Sequence, residues 1–167
     1  MKKYVIAVYV DNKFGVLTRV TGMFTRRSFN IDSLTVGKTE SPEYSRITIT
    51  MYGDEGAKEQ VIKQLQKLVN VKRVQLLPKD SSVSRELMLI KVKNCQDTKN
   101  DIMTAVNIFR SKIIDYSPEA LCIEVTGDTE KLDAFIEIMK PLGIIEMCRT
   151  GIVALERGEG SILNDRL

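Results

Sequence analysis

The stretch Asp11-Asn12-Lys13-Phe14-Gly15-Val16-Leu17 joins an apolar strand, predicted from Tyr4 to Val10, to an amphipathic helix. A helix that begins with a glycine leaves backbone N–H groups free to meet a carboxylate at the positive end of the helix dipole. The Asn12 amide both donates and accepts hydrogen bonds, so it can meet the ammonium or the carboxylate of a free amino acid. Taken alone, the stretch is explained at least as well by an Asx-type turn that only joins strand to helix.

The hydrophobic pattern of the first half predicts a split βαβ unit. Apolar residues at i, i+4, i+7 and i+8 indicate helices with one buried face, and apolar–polar alternation indicates strands. The predicted elements are the strand Tyr4 to Val10, a helix with Val16, Val20, Met23 and Phe24 buried, the strand Ile31 to Val36, a strand containing Ile47, Ile49 and Met51, a helix with Val61, Leu65, Leu68 and Val69 buried, and the strand Val71 to Leu77. Their order is that of a ferredoxin-like fold.

The second half repeats this order after a polar linker at residues 79–84. The predicted elements are the strand Leu87 to Val92, a helix with Ile102, Ala105, Val106 and Phe109 buried, a hairpin of Lys112 to Tyr116 and Leu121 to Val125, a helix with Leu132, Phe135, Ile136 and Met139 buried that Pro141 and Gly143 stop, and the strand Ile144 to Cys148. We therefore expect the α+β class, with ferredoxin-like βαββαβ units at residues 1–78 and 85–157. Residues 151–156 are compatible with one more strand, and residues 158–167 with a flexible tail.

The two halves differ in the loop between the first strand and the first helix. The second loop, residues 93–98, contains Asn94 but has no glycine at the start of the helix. We place no equivalent ligand site there. Thr98, or Asp97 before it, is predicted to cap the helix instead.

Composition excludes several classes of partner. The chain has 167 residues, and its 25 Lys and Arg against 22 Asp and Glu give a net charge of only +3, too small for an electrostatic hold on nucleic acid or an anionic membrane. The three cysteines are widely spaced, which favours neither a disulfide framework nor a zinc site, and Cys122 and Cys148 are expected in the core. No apolar run approaches the roughly twenty residues that span a bilayer. We expect a soluble cytoplasmic protein.

Catalysis and RNA binding find little support in the residues. The chain has no histidine, which removes the commonest general base near neutral pH. Carboxylate pairs such as Asp54 with Glu55 stand at a predicted helix start, where capping explains them. RNA-recognition modules share the βαββαβ order but stack bases on aromatic residues of an inner strand, and the strand at residues 45–51 has none.

Several stretches together resemble one family. The segment from Asn12 to Val20, followed by Phe24 and residues 29–36, closely resembles the regulatory (small) subunits of acetolactate synthase, also called acetohydroxyacid synthase, and is an ACT-domain signature. Residues 109–115, 131–135 and 149–153 resemble the same family, so the resemblance runs nearly end to end. It implies an N-terminal ACT domain followed by a second ACT-like domain.

The resemblance also implies an effector site between two copies of the chain. Two N-terminal ACT domains would join through the edge strand at residues 30–37 into a homodimer, with valine or a related branched-chain amino acid between them. The implied valine-binding residues are Asn12, Gly15, Val16, Leu17, Asn30 and Ile31. For Leu17 and Ile31, ordinary core packing is an equally good explanation.

The implied function is regulation of branched-chain amino-acid biosynthesis. The chain would activate the large catalytic subunit and confer feedback inhibition by valine, without catalysing a reaction itself. Thiamine diphosphate, magnesium and FAD would bind to the catalytic subunit and none of them to this chain. Residues 109–115 and 149–153 are candidates for the surface that contacts that subunit, although within them Ile113 and Ile114 are predicted to lie in the core. The alternatives left open are an ACT-type amino-acid sensor that regulates another enzyme and an enzyme that uses carboxylates alone.

Overall fold

The first half of the chain forms a four-stranded antiparallel sheet with two helices packed on one face, in a computed structural model that describes residues 1–163. Its elements are β1 (Lys2–Asp11), α1 (Val16–Arg26), β2 (Ser33–Lys38), β3 (Tyr44–Gly53), α2 (Glu55–Gln66) and β4 (Val71–Leu76). The strand order is β2-β3-β1-β4. The βαββαβ unit predicted from the sequence is therefore confirmed, and β2 lies at one edge of the sheet.

Each helix carries a stripe of apolar residues along one face, and this stripe explains why the helix forms and which side chains it buries. All four apolar residues predicted on the buried face of α1 lie in one core cluster with alternate residues of β1 and β3. Fully burying such a side chain contributes about 1.5–3 kcal/mol. The stripe of α2 is confirmed at Val61 and Leu65 but wrong at Val69, which is 85% exposed because α2 ends at Gln66.

The second half forms another antiparallel sheet with two helices. Its elements are β5 (Ser82–Lys93), α3 (Lys99–Ile108), β6 (Lys112–Tyr116), β7 (Ala120–Gly127), α4 (Thr129–Gly143), β8 (Ile144–Arg149) and β9 (Val153–Glu156). The strand order is β6-β7-β5-β8, and β9 also pairs with β5. The α+β class and the second βαββαβ unit are thus confirmed, and β9 is the additional strand expected within residues 151–156.

Two details of the second half differ from the prediction. The predicted stop of α4 is confirmed at Gly143, where the helix ends with φ +93°, but it is wrong at Pro141, which lies inside the helix two residues earlier. Cys148 is exposed rather than in the core, since it lies on β8, an edge strand with few covered side chains.

The chain divides into two compact units whose boundaries differ from the predicted ones. The first contains Met1–Ser84 together with the described residues 152–163, and the second contains Arg85–Gly151. Ile152, Ala154 and Ile162 pack in a cluster with Ala7, Tyr9 and Leu77, and the Ala154 carbonyl accepts a 2.8 Å hydrogen bond from Arg46. These contacts attach residues 152–157, which we predicted in the second domain, to the first unit.

The predicted linker and the described part of the predicted tail, residues 158–163, are more ordered than their composition indicates. Residues Lys79–Ser81 form one 3-10 turn, and β5 begins at Ser82, where the Arg157 side chain donates to the carbonyl. Within the predicted tail, Ile162 is buried, while residues 164–167 lie outside the described part of the chain. Within residues 1–163, no helix is long and apolar enough to cross a bilayer.

A charged cluster holds three elements of the second unit together. Arg149 at the end of β8 donates two 2.8 Å hydrogen bonds to the buried carboxylate of Glu86 on β5. A third 2.8 Å bond reaches Asp133 on α4. These carboxylates, Glu86 foremost, raise the pKa of the Arg149 guanidinium further above its already high ordinary value.

Arg149→Met should lower the free energy of unfolding of the second unit by about 3 kcal/mol, because it leaves the Glu86 carboxylate buried without its partner. This is the low end for a buried pair, since the Arg149 side chain is 27% exposed. Urea unfolding measures the change. Lys91→Met is the matched control, since it breaks the exposed Lys91–Glu146 pair of the same sheet. The Lys91→Met variant should have no measurable change in its free energy of unfolding. Equal stability of the two variants would show that the cluster does not hold the unit together.

Candidate functional site

The amino terminus of α1 differs from those of the other long helices. Gly15 is its N-cap, with φ +78°, and the helix has neither a side-chain cap nor an acidic residue in its first turn. The N-caps of α2 and α4, Asp54 and Asp128, instead accept hydrogen bonds of 2.7 and 2.9 Å from their own helices. The predicted capping role of Asp54 is confirmed. The first turn of α1 therefore presents backbone donors with no carboxylate of its own helix beside them, although the Val16 N–H makes a long 3.4 Å hydrogen bond to the Lys13 carbonyl.

Asn12 connects the loop that precedes α1 to the β2–β3 turn. Its backbone N–H donates to the Glu43 carbonyl at 2.7 Å, and its side-chain amide donates to the Pro42 carbonyl at 2.9 Å. An asparagine amide has two N–H donors and one oxygen, so this bond leaves capacity for a ligand. Asn12 is exposed and therefore accessible to one.

The asparagine bonds alone do not distinguish the loop of the first unit from that of the second. Asn94 makes the same pair of bonds, from its backbone to the Glu119 carbonyl at 2.9 Å and from its side chain to the Ser117 carbonyl at 2.7 Å. However, α3 has no glycine N-cap and carries Asp101 in its first turn. Thr98 occupies the N-cap position, but the predicted side-chain cap is wrong because its hydroxyl makes no such bond.

The other predicted site residues have different environments. Val16 is buried in the core of the first unit, so only its backbone can face a ligand. Leu17 is 41% exposed, so core packing does not explain it. Ile31 is half-buried against the core, where packing does account for part of its role, and Asn30 is exposed.

One copy of the chain does not bring these residues together. Gly15 precedes α1 and Asn30 follows it, and eleven helical residues span about 16 Å. The strand registers agree: Asp11 pairs with Tyr44 and Lys38 with Ser45 at one end of the sheet, while Ser33 pairs with Thr50 towards the other. Asn12, Gly15 and Leu17 therefore lie at one end of the first unit, and Asn30 and Ile31 lie at the opposite end.

A buried carboxylate lies at the start of the loop, and the sequence did not single it out. Asp11 is 9% exposed and accepts a 3.1 Å hydrogen bond from the Asn70 side chain, with Lys72 at 3.2 Å and Lys13 at 3.7 Å. The bond from Asn70, followed by the two lysines, holds the pKa of Asp11 below its ordinary value against the opposing effect of burial. The one signal in the sequence was an acidic residue at the end of an apolar strand.

Comparison with known proteins identifies the family. Residues 6–73 match the family described as AHAS small subunit-like ACT domain, and residues 85–158 match the family described as small subunit of acetolactate synthase. The chain belongs to the acetolactate synthase small-subunit family. The resemblance stated from the sequence is thus confirmed, and with it the identity as a regulatory small subunit of that enzyme.

Relatives match this small-subunit chain over nearly its whole length. The chain is 51% identical over 156 residues to a probable acetolactate synthase small subunit of Archaeoglobus fulgidus, covering 93% of this chain and 98% of that protein. It is 46% identical over 159 residues to the small subunit of Mycolicibacterium smegmatis, covering 95% and 94%. The crystal structure of the Thermotoga maritima small subunit has 42% identity and a TM-score of 0.89, covering 96% of this chain and all of that one.

The stretches predicted as candidate partner surfaces contain residues with roles inside the fold. Arg149 forms the ion cluster, Thr150 bonds to the backbone of Leu87, and Gly151 has φ +82°. Packing and turn geometry therefore account for the start of the stretch 149–153. In the stretch 109–115, Ile114 is half-exposed rather than core, since it lies on β6, an edge strand that is irregular between Ile113 and Asp115.

Asp11→Asn should make the first unit less stable near neutral pH, and the difference from the unchanged chain should shrink in acid. A carboxylate whose folded pKa is lowered stabilises the fold above its unfolded value, about 3.9, and that contribution is lost as the pH falls through the folded pKa. Unfolding at a series of pH values measures the difference. Asp97→Asn, in the exposed loop of the second unit, is the matched control. A difference that stayed constant down to pH 2 would contradict this role for Asp11.

Proposed function

We propose that this chain activates the large catalytic subunit of acetolactate synthase and makes it sensitive to inhibition by valine. The relatives are named as small subunits, which implies a large partner subunit. The effector proposal rests on the amino terminus of α1, where Gly15 is the N-cap and the exposed side-chain amide of Asn12 lies in the same loop. Backbone donors at a helix start are suited to the carboxylate of an amino acid.

The proposal requires two copies, and the edge strand β2 supports a homodimer. Among the described residues, β2 pairs with β3 on one side only, and Val36, Gly37 and Lys38 are exposed. A free strand edge offers unpaired N–H and C=O groups to a second chain. A twofold axis pairs β2 with its own copy in antiparallel orientation.

This pairing would bring the two halves of the predicted site together. In an antiparallel β2–β2 pair, the start of one strand lies opposite the end of the other. The end of β2 and the Asn12 loop share one end of the sheet. The partner's Asn30 and the partner's Ile31, which precede the partner's β2, therefore approach this loop, although within one copy they lie far from it.

Valine would bind between the two chains with its charged end at α1. The amides of Gly15, Val16 and Leu17 would receive the carboxylate, and the Asn12 amide and the partner's Asn30 would meet the remaining polar groups. The isopropyl group would contact the half-exposed Leu17 and the partner's Ile31. One methylene changes binding by only about 1–3 kcal/mol, so the preference for valine over leucine or isoleucine rests on the family resemblance.

Inhibition follows from linkage between valine binding and the arrangement of the regulatory dimer. Valine bound across two subunits favours one arrangement, and the catalytic subunit is active when paired with another. The condensation of pyruvate with pyruvate or 2-oxobutyrate belongs to the catalytic subunit, with its thiamine diphosphate, magnesium and FAD. This chain would act in the cytoplasm and supply no catalytic group.

Gly15→Asp should abolish valine inhibition while much of the activation remains. The new carboxylate would stand at the start of α1 and repel the carboxylate of valine. Acetolactate formation by the catalytic subunit, with and without added chain and with and without valine, measures both effects. In that assay the unchanged chain should raise the activity, and valine should lower it again.

Gly158→Asp provides the matched control. Gly158 also has a positive φ, +70°, and a Cβ at either glycine would meet no atom within 4 Å. Both changes therefore add the same charge with the same kind of backbone strain, and Gly158→Asp should keep valine inhibition. Full inhibition of the Gly15→Asp enzyme would show that valine binds elsewhere. No activation by the unchanged chain would favour a sensor that regulates another enzyme.

A further inference from the structure

The two units differ in one group of contacts around the loop that precedes their first helix. Val10 pairs with Val71 in the first unit and Val92 pairs with Ile144 in the second, so the residues that precede Val71 and Ile144, Asn70 and Gly143, occupy equivalent positions. Asp11 and Lys93 are equivalent in the same way, because each pairs with the first residue of the neighbouring strand, β3 or β7. The buried residues Val20 of α1 and Ile102 of α3 occupy equivalent positions, so Arg19 is the equivalent of Asp101.

In the first unit, the Asn70 side chain bridges the two ends of the loop. Its Nδ2 donates to the Asp11 carboxylate at 3.1 Å, at the end of β1. Its Oδ1 accepts a 2.9 Å hydrogen bond from the Arg19 guanidinium on α1. Arg19 is also the residue whose backbone N–H bonds to the Gly15 carbonyl, at 3.1 Å, closing the first turn of the helix.

The second unit cannot form this bridge. Gly143 has no side chain, and a Cβ there would approach the Lys93 side chain to 3.0 Å. Lys93 and Asp101 also reverse the charges of Asp11 and Arg19. The asparagine-to-turn bonds are common to both units, whereas the bridge occurs in the unit whose helix begins with glycine.

The bridge opposes a mobility that the glycine introduces. Gly15 loses more conformational freedom on ordering than any other residue would, and its helix has no side-chain cap. A flexible loop would have to order its amides when a ligand binds, which weakens binding. A side chain that joins the strand end to the first helical turn orders them beforehand.

We propose that Asn70 is a positioning residue for the effector loop: by joining Asp11 to Arg19, it holds the amides of residues 15–17 in the geometry that receives the carboxylate of valine. This role rests on the proposed function of that loop. Asn70 would not touch the ligand. The Asp11 amide also donates to the Asn70 carbonyl at 2.9 Å, and this bond between backbone groups survives substitution of the side chain.

Asn70→Ala in the full chain tests the proposal with two measurements. Amide hydrogen exchange of residues 13–18 without ligand should become roughly fivefold faster, and the Kd for valine by isothermal titration should rise roughly fivefold, as expected for one or two lost hydrogen bonds. Arg19→Ala should act in the same direction. The double variant should weaken binding less than the product of the two single effects, because both changes remove the same bridge.

Asn94→Ala is the matched control, since it removes an asparagine amide from the equivalent loop of the second unit. It should leave both the exchange of residues 13–18 and the Kd for valine unchanged. Unchanged exchange in Asn70→Ala would overturn the bridge as a constraint on the loop. Faster exchange with an unchanged Kd would overturn its role in binding. If the unchanged chain bound no valine, the proposed function would fail, and the exchange result would still decide whether the bridge orders the loop.

Discussion

The backbone N–H groups at the start of α1 are the feature on which the proposed effector site depends. Helix starts leave donors that the helix cannot satisfy. Asp54 and Asp128 meet this need at α2 and α4, whereas α1 begins at a left-handed glycine without a cap or an acidic residue in its first turn. An amino-acid carboxylate would supply the missing acceptor. In the proposed function, valine binding at this helix start regulates the activity of the large catalytic subunit.

The internal repeat separates what the fold requires from what the site requires. Both units have the same strand order, an irregularity at the same point of the central strand, and an asparagine that bonds to the neighbouring turn. These features belong to the fold. Gly15, Asp11, Asn70 and Arg19 occur in the first unit, and their counterparts in the second differ in charge or size. The effector function is therefore proposed for one unit of an otherwise similar pair.

Local patterns predicted the fold because the spacing of apolar residues along helices and strands reflects directly which side chains are buried. The buried face of α1 and the order of the helices and strands followed from this spacing alone. The errors arose where burial depends on distant parts of the chain. Cys148 and Ile114 lie on edge strands, so an apolar pattern did not imply burial, and Ile162 is buried in a cluster that includes Ala7 and Tyr9 of β1, which are distant in the sequence.

The candidate site was predictable only in part, because some of its residues belong to one loop whereas others depend on distant parts of the chain. Gly15 and Asn12 are visible in sequence because their chemistry is local to one loop. The Asp11–Asn70 bond joins residues 59 positions apart, so no local pattern indicates it. Asn30 and Ile31 lie at the far end of the unit, and their placement in a site comes from the family resemblance and from a second copy.

A crystal structure of the chain grown with valine would show whether the start of α1 receives the amino-acid carboxylate. We expect a dimer joined edge to edge through β2, with the valine carboxylate on the amides at the start of α1 of one copy and its side chain against Ile31 of the partner subunit. Valine bound away from that helix, or a valine-bound chain whose β2 edge remains unpaired, would contradict this expectation.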